Sequence, residues 1–359
     1  MRDVGFVDLG RDTYVLHVCA TKDVPPEWSD TVRRMVGASF ADTNVTISTA
    51  ANEDAVAALK GRPGVVLTSA DGRHLPLPLS AKQAELTDAG WDAIDGLASS
   101  PTQDAVRAAI IDAHAVIVCF LGKRTADNDR VRRLMKEAIT EAAPALRGLP
   151  KPAKSGSVTI EVSHAARARE RLLMWATGCA AGEPDDPHVV VLYGRARRMG
   201  PVLSGPLVTR TAIREALVLI GQDCECDLPR SIMRGPCVPM AWSSEAADRV
   251  QVALGFDSRS PTVKAEMTRI LAKAAAAQGG VTPGGDATSL LGYSETVVEP
   301  TSEPAGERAS LPPTDPAEPV PDGPADSDGP GRLIPMAGVV VLVSALLGAV
   351  IVLALRRRS

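Results

Sequence analysis

Aromatic residues make up only 3% of this 359-residue chain. Without aromatic platforms on which successive bases can stack, the composition argues against nucleic acid as a partner. The cores have to be built from Val, Leu, Ile and Ala, and at 45% hydrophobic content there is enough apolar material for two or three domains. Catalytic signatures are missing as well: the chain has no H-E-x-x-H, no G-x-S-x-G and no G-x-G-x-x-G. GKRT at 122–125 echoes the end of a phosphate-binding loop, but it lacks the upstream glycine, and Arg124 separates Lys123 from Thr125. Residues 1–20 have no basic start, apolar run and small-residue cleavage site, so no export signal is visible.

Excess charge is also missing from most of the chain. Residues 278–331 hold ten acids against the single base Arg308, and the four arginines at 332 and 356–358 follow, which leaves residues 1–277 near +1. A body so close to neutral offers no electrostatic footprint for a polyanion. The acidic stretch is rich in Pro, Gly, Ser and Thr, and a chain of that kind cannot bury enough apolar surface to offset its ordering entropy. We read 278–332 as a disordered acidic Pro-rich linker whose root-mean-square reach is roughly 40 Å.

Residues 333–355 then run for 23 positions without a charge, long enough to cross a hydrocarbon core as a transmembrane helix. Residues 356–359 form a basic tail, RRRS. The expectation is a single-pass, C-terminally anchored membrane protein, with the membrane and a protein at its surface as partners. The side on which the body lies stays open. The three arginines favour a cytoplasmic tail, whereas the missing export signal favours a cytoplasmic body.

The body reads as an internal repeat. The first copy has YVLHVC (14–19), the helical stretch PEWSDTVRRMVGASF, NVTIST (44–49), NEDAVAAL, and then RPGVVLTSADGRHLPLPL with a hairpin turn at Asp71-Gly72. The second has AVIVCF (115–120), NDRVRRLMKEAITEAAPAL, SVTIEV (157–162), RARERLLMWATG, and DPHVVVLYGRARRMGPVL with its turn at Gly194-Arg195. The strands are β-branched, and the helical stretches carry apolar residues at threes and fours. A further helix follows each copy, and two more are expected within 243–278. Strand, helix, strand, helix, hairpin, helix is an α/β unit with a mixed sheet.

This order, twice in tandem, resembles the thioredoxin-like fold. The resemblance implies two tandem thioredoxin-like sandwiches, one at 1–105 and one at 106–277, the second including a Cys-containing loop and the C-terminal helices. Pro63 and Pro187 stand just ahead of the hairpins, where thioredoxin-like proteins carry a cis-proline. The chain departs from the family at the catalytic position. Thioredoxin-like redox proteins place Cys-x-x-Cys after the first strand, at a helix start that lowers a thiol pKa; here those positions read CATKDVPPEW and CFLGKRTADND. Cys19 and Cys119 lie in the strands themselves, where a cysteine acts as a small buried hydrophobe. The family's activity is therefore not carried over, and the expectation is a binding or assembly protein without a catalytic residue.

Two candidate sites remain. Cys224, Cys226 and Cys237 lie within GQDCECDLPRSIMRGPC. In an extended run Cys224 and Cys226 point to the same side, so both thiols can meet one metal ion, with Cys237 as a third ligand. The alternatives are a thiol redox site, or sulfurs that are buried or, in an exported body, bridged through Cys237. Arg195, Arg197 and Arg198 cluster at the second hairpin tip, either as a solvated turn or as a surface that binds a partner's acidic group. His164, Arg167, Arg169 and Arg171 read as an exposed helix start.

Overall fold

The structure is a computed structural model that describes residues 2–8, 13–48, 53–82, 85–179, 185–222 and 235–277. The β-branched runs form the expected strands: β1 (Tyr14–Cys19), β2 (Val45–Ser48), β3 (Gly64–Thr68) and β4 (His74–Pro78), then β5 (Val116–Phe120), β6 (Val158–Val162), β7 (His188–Tyr193) and β8 (Arg197–Ser204). Between them stand α1 (Trp28–Ser39) and α2 (Glu53–Ala58) in the first copy, and α5 (Thr125–Arg147) and α6 (Arg171–Thr177) in the second. A π-helical turn, Leu86–Gly90, leads into α3 (Trp91–Ala98) after the first hairpin, and α7 (Arg210–Gly221) follows the second. α4 (Pro101–Ile110) joins the copies, and α8 (Ser244–Leu254) and α9 (Pro261–Ala277) come last.

The two four-stranded sheets have the same order, β2-β1-β3-β4 and β6-β5-β7-β8. In each, the first two strands of the copy run parallel and the other pairs antiparallel, in agreement with tandem thioredoxin-like domains. The copies differ at the hairpin, where the register shifts between Val189 and Val191 and β8 bulges. Neither Pro63 nor Pro187 follows a cis peptide bond, since none occurs among the described residues.

The period of two along the strands decides which core each side chain joins. Leu16 and Val18 of β1 pack into one continuous cluster with Val116, Val118 and Phe120 of β5, so the two copies share a core. The alternate residues Ala115, Ile117 and Cys119 face Val131, Met135 and Ala138 of α5 and Ile213 and Leu217 of α7. On the first sheet Cys19 and Val66 pack on Ala55 of α2 and on Leu59.

The boundary expected at 105/106 falls inside α4. The reason is local: the Ser100 side chain caps the helix by accepting from the Gln103 N–H, and Pro101 fits its first turn. Glu170, 2% exposed, holds this helix start to the second copy. Its carboxylate accepts from the Ser100 hydroxyl, and from the Thr102 hydroxyl at 2.6 Å and the Thr102 N–H at 3.3 Å. The copies also meet where Arg73 lies over the Trp175 ring at 5.3 Å and the Tyr14 and Trp175 rings stand 5.7 Å apart.

His114 is expected to make this body sensitive to acid. It is 3% exposed, and its Nε2 lies 2.8 Å from the Leu217 carbonyl, so that nitrogen carries the proton. Burial pushes its pKa down from about 6.5; the Leu217 carbonyl opposes the shift, and Arg2 adds to it. A histidine with a depressed folded pKa contributes stability that is complete above its unfolded value and is lost as pH falls toward the folded one. Denaturation midpoints should therefore drop between pH 7 and pH 5, and His114→Gln, which keeps a donor for Leu217, should flatten that part of the profile. An equally steep profile in the variant would assign the loss elsewhere.

Candidate functional site

The two candidate sites converge, because the second hairpin and the segment carrying Cys237 lie side by side. The turn between β7 and β8 is Gly194-Arg195-Ala196, with positive φ at Gly194 (56°) and Ala196 (55°). Residues 235–238 run along its outer edge: Arg198 N–H donates to Pro236 O at 3.0 Å, Val238 N–H donates to Ala196 O at 3.1 Å, and Arg197 and Cys237 form an antiparallel bridge. Gly235 allows this approach, since a Cβ there would sit 2.2 Å from Arg198 O. On the inner side the 3-10 turn Val4–Phe6 presses on the hairpin, with Arg195 N–H donating to Gly5 O at 2.9 Å.

The three arginines reach in different directions and bind their own chain, in place of the solvated cluster suggested by their spacing. Arg195 pairs with Asp8 at 2.9 Å and lies over the Trp242 ring at 5.6 Å. Arg197 donates to Gly235 O at 3.1 Å. Arg198 donates to Gly200 O at 2.8 Å and to Thr177 O; its burial pulls its pKa down, with the Cys179 thiol opposing. The segment at 235–238 covers the hairpin edge, and its Gly235 carbonyl takes the Arg197 side chain.

Cys237 is buried, and its Sγ donates to Arg195 O at 2.6 Å, while its carbonyl accepts from the Tyr14 hydroxyl at 2.8 Å. Cys224 and Cys226 lie outside the described residues. Among the described residues no group of three or more His, Cys, Asp or Glu side chains is placed to hold a metal ion. Between hairpin and N-terminal turn a narrow crevice remains, lined by Gly5, Asp8, Asn44, Arg197, Cys237 and Trp242. The Trp242 indole N–H is buried and has no acceptor among the described residues. Asp8 and Trp242 were not singled out from sequence, where nothing links them to Arg195.

Just after β5 the second copy is closed by hydrogen bonds. Gly122 N–H donates to the Asn128 side chain at 2.7 Å, Asn128 donates back to Gly122 O at 3.0 Å, and Lys123 N–H donates to Asp185 O at 2.8 Å. Arg167, expected on an exposed helix start, is instead buried, donating to Phe120 O at 2.7 Å and Asp186 O at 2.6 Å. It pins the loop ahead of Pro187 to the end of β5. His164, Arg169 and Arg171 are exposed.

Cys19, Cys119 and Cys179 carry free, buried thiols. Burial pushes Cys119 up to about 12, with Glu161 adding to the shift and Arg132 and Arg167 opposing it. Burial pushes Cys179 up to about 11 against the Thr177 hydroxyl, Arg198 and Arg167, and it raises Cys19 as well. Thiols held in this way stay protonated at neutral pH and are poor nucleophiles.

No helix among the described residues is long and apolar enough to cross a membrane, and residues 333–355 lie outside them. No protein-family model matches the chain, and no curated protein matches it. Among solved structures, the zinc-bound form of human ERp44 is similar at 11% identity, covering 62% of this chain and 60% of that one, with a TM-score of 0.18. Agreement at that level carries no argument, so the fold assignment rests on strand order and register alone: this is a mixed α/β protein with two four-stranded sheets of the same order.

Proposed function

We propose that this chain is a non-catalytic, membrane-anchored binding or assembly protein whose body is a tandem pair of thioredoxin-like domains without the dithiol. The observation that carries this reading is the state of the segment after β5: Gly122 and Asn128 close it with mutual hydrogen bonds, Lys123 N–H donates to Asp185 O, and the preceding cysteine, Cys119, is buried in β5 at a pKa of about 12. The uncharged run at 333–355 supplies the anchor, and the acidic linker lets the body search the membrane surface for its partner.

Arg195 and Arg197 are the side chains we assign to partner contact. They border the crevice that Asp8 and Trp242 also line, and a partner carboxylate that displaced Asp8 would take its place on the Arg195 guanidinium. Replacing Arg195 and Arg197 with alanine should reduce crosslinked partner recovered from native membranes at least severalfold while the body stays folded. Arg198 is left in place because its guanidinium is committed to the backbone carbonyls of Gly200 and Thr177. Undiminished recovery, with folding intact, would remove this surface from the proposal.

A further inference from the structure

A strand at the edge of a sheet exposes unpaired N–H and C=O groups that can pair with another chain, and monomeric proteins block such edges. β4 is blocked. Leu79 N–H donates to Pro63 O, so by alternation Leu75 and Leu77 turn their backbone groups to β3, while Pro76 and Pro78 face outward with no N–H to offer. Arg171 occupies the outward carbonyl of Pro76 at 3.1 Å. β8 carries Pro201 and is covered at its start by the bond from Arg198 to Pro236.

Among the described residues β6 has neither device. Val158 N–H donates to Ala115 O at 3.0 Å and Val162 O accepts from Leu121 N–H at 2.8 Å, so residues 158, 160 and 162 face β5. Thr159 and Glu161 therefore turn their backbone N–H and C=O to the open edge, and both are exposed. Beside that edge runs a shallow groove on α5 lined by Arg132, Met135, Lys136 and Ile139. Arg132 holds the Glu161 carboxylate at 2.9 to 3.1 Å, whereas Lys136, one helical turn further on, is exposed and has no ion-pair partner among the described residues.

We propose that two copies of this chain pair through β6, antiparallel, about a two-fold axis at Ile160. In this register V-T-I-E-V is self-complementary: Val158 stands opposite Val162 of the second copy, and Thr159 opposite Glu161. Both members of the Thr159/Glu161 pair direct their backbone groups outward, so each pair exchanges two N–H···O bonds and the symmetry doubles them. Arg132 lies alongside Glu161, and α5 runs antiparallel to β6, so Lys136 lies alongside Thr159 and faces Glu161 of the second copy. That carboxylate has lone pairs left beyond those used by its own Arg132. The salt link forms twice and fixes the register, and the four-stranded sheets join into one of eight. The equivalent edge in the first copy, β2, holds Val45–Ser48 with no charged residue to set such a register. This inference depends on neither the anchor nor the partner surface.

Thr159→Pro tests it, because the Thr159 N–H is unused within the monomer's sheet and edge prolines are already tolerated in β4. Full-length protein in mild detergent, measured by light scattering with the detergent mass subtracted, should be dimeric at micromolar concentration. Thr159→Pro should raise the dimer dissociation constant roughly thirtyfold or more, with an unchanged denaturation midpoint at a concentration low enough that both proteins are monomeric. Lys136→Glu, which leaves the strand intact, should raise it about tenfold by placing two acids together. A monomeric wild type, or a dimer indifferent to Thr159→Pro, would overturn the proposal; if the proline variant fails to fold, a dimer indifferent to Lys136→Glu overturns it.

Discussion

Gly194→Ala is expected to cost about 3 kcal/mol of unfolding free energy, against about 1 kcal/mol for the same change at Gly72. Both glycines have positive φ, 56° at Gly194 and 79° at Gly72, so both substitutions force a side chain into the left-handed region. Their surroundings differ. A Cβ at Gly72 would meet nothing within 4 Å, whereas at Gly194 it would stand 2.2 Å from the Gly5 carbonyl carbon and 2.3 Å from its oxygen. Those are backbone atoms, so no rotamer change relieves the overlap, and the turn Val4–Phe6 has to move off the hairpin. Its departure breaks the bond from Arg195 N–H to Gly5 O, separates Asp8 from Arg195, and parts the Phe6 and Trp242 rings, now 6.2 Å apart. Denaturant titration of the two variants isolates the clash, because the conformational cost is common to both. Equal losses would mean that the N-terminal turn adds little to the hairpin.

That pair of glycines also shows which parts of this structure can be read in the sequence. Strands were legible because their information is local: YVLHVC is β1 to the residue, and the other β-branched runs agree within one position. Sheet order followed from the repeat, since the same succession of elements occurs twice. The site was not legible, because its contacts join residues far apart. Arg195 and Asp8 are 187 positions apart and Tyr14 and Cys237 are 223, and neither partner has a local pattern that points to the other. Three arginines at a hairpin look solvated until the segment 235–238 covers the edge they belong to. Arg167 misleads for a similar reason. An arginine on a short helix reads as exposed, yet the backbone carbonyls of Phe120 and Asp186 offer it two acceptors inside. The helix at Pro101–Ile110 has a recognisable start signal in Ser100-Pro101, and it spans the 105/106 position at which the repeat divides the copies.

The buried thiols give the second large expected effect. At neutral pH a thiol with a pKa of about 12 holds roughly a thousandfold less thiolate than an unperturbed cysteine near 8.5. The lower intrinsic nucleophilicity of a low-pKa thiolate offsets part of such a difference, but exclusion of the reagent acts in the opposite direction, and Cys119 is 0% exposed and Cys179 1%. Cys119 and Cys179 in the native protein should therefore react with a small disulfide about a thousandfold more slowly than in the denatured chain. The same measurement reaches the cysteines on which the competing thiol-redox and metal readings depend, Cys224, Cys226 and Cys237. The most direct test of the account is thus residue-resolved thiol exchange on native full-length protein, followed by mass spectrometry and paired with a turnover assay on a disulfide substrate. The account predicts protection of Cys19, Cys119 and Cys179 and no turnover above the uncatalysed rate, with no change on Cys224→Ser. Turnover that Cys224→Ser or Cys226→Ser abolishes would contradict it and make the protein a thiol-disulfide oxidoreductase.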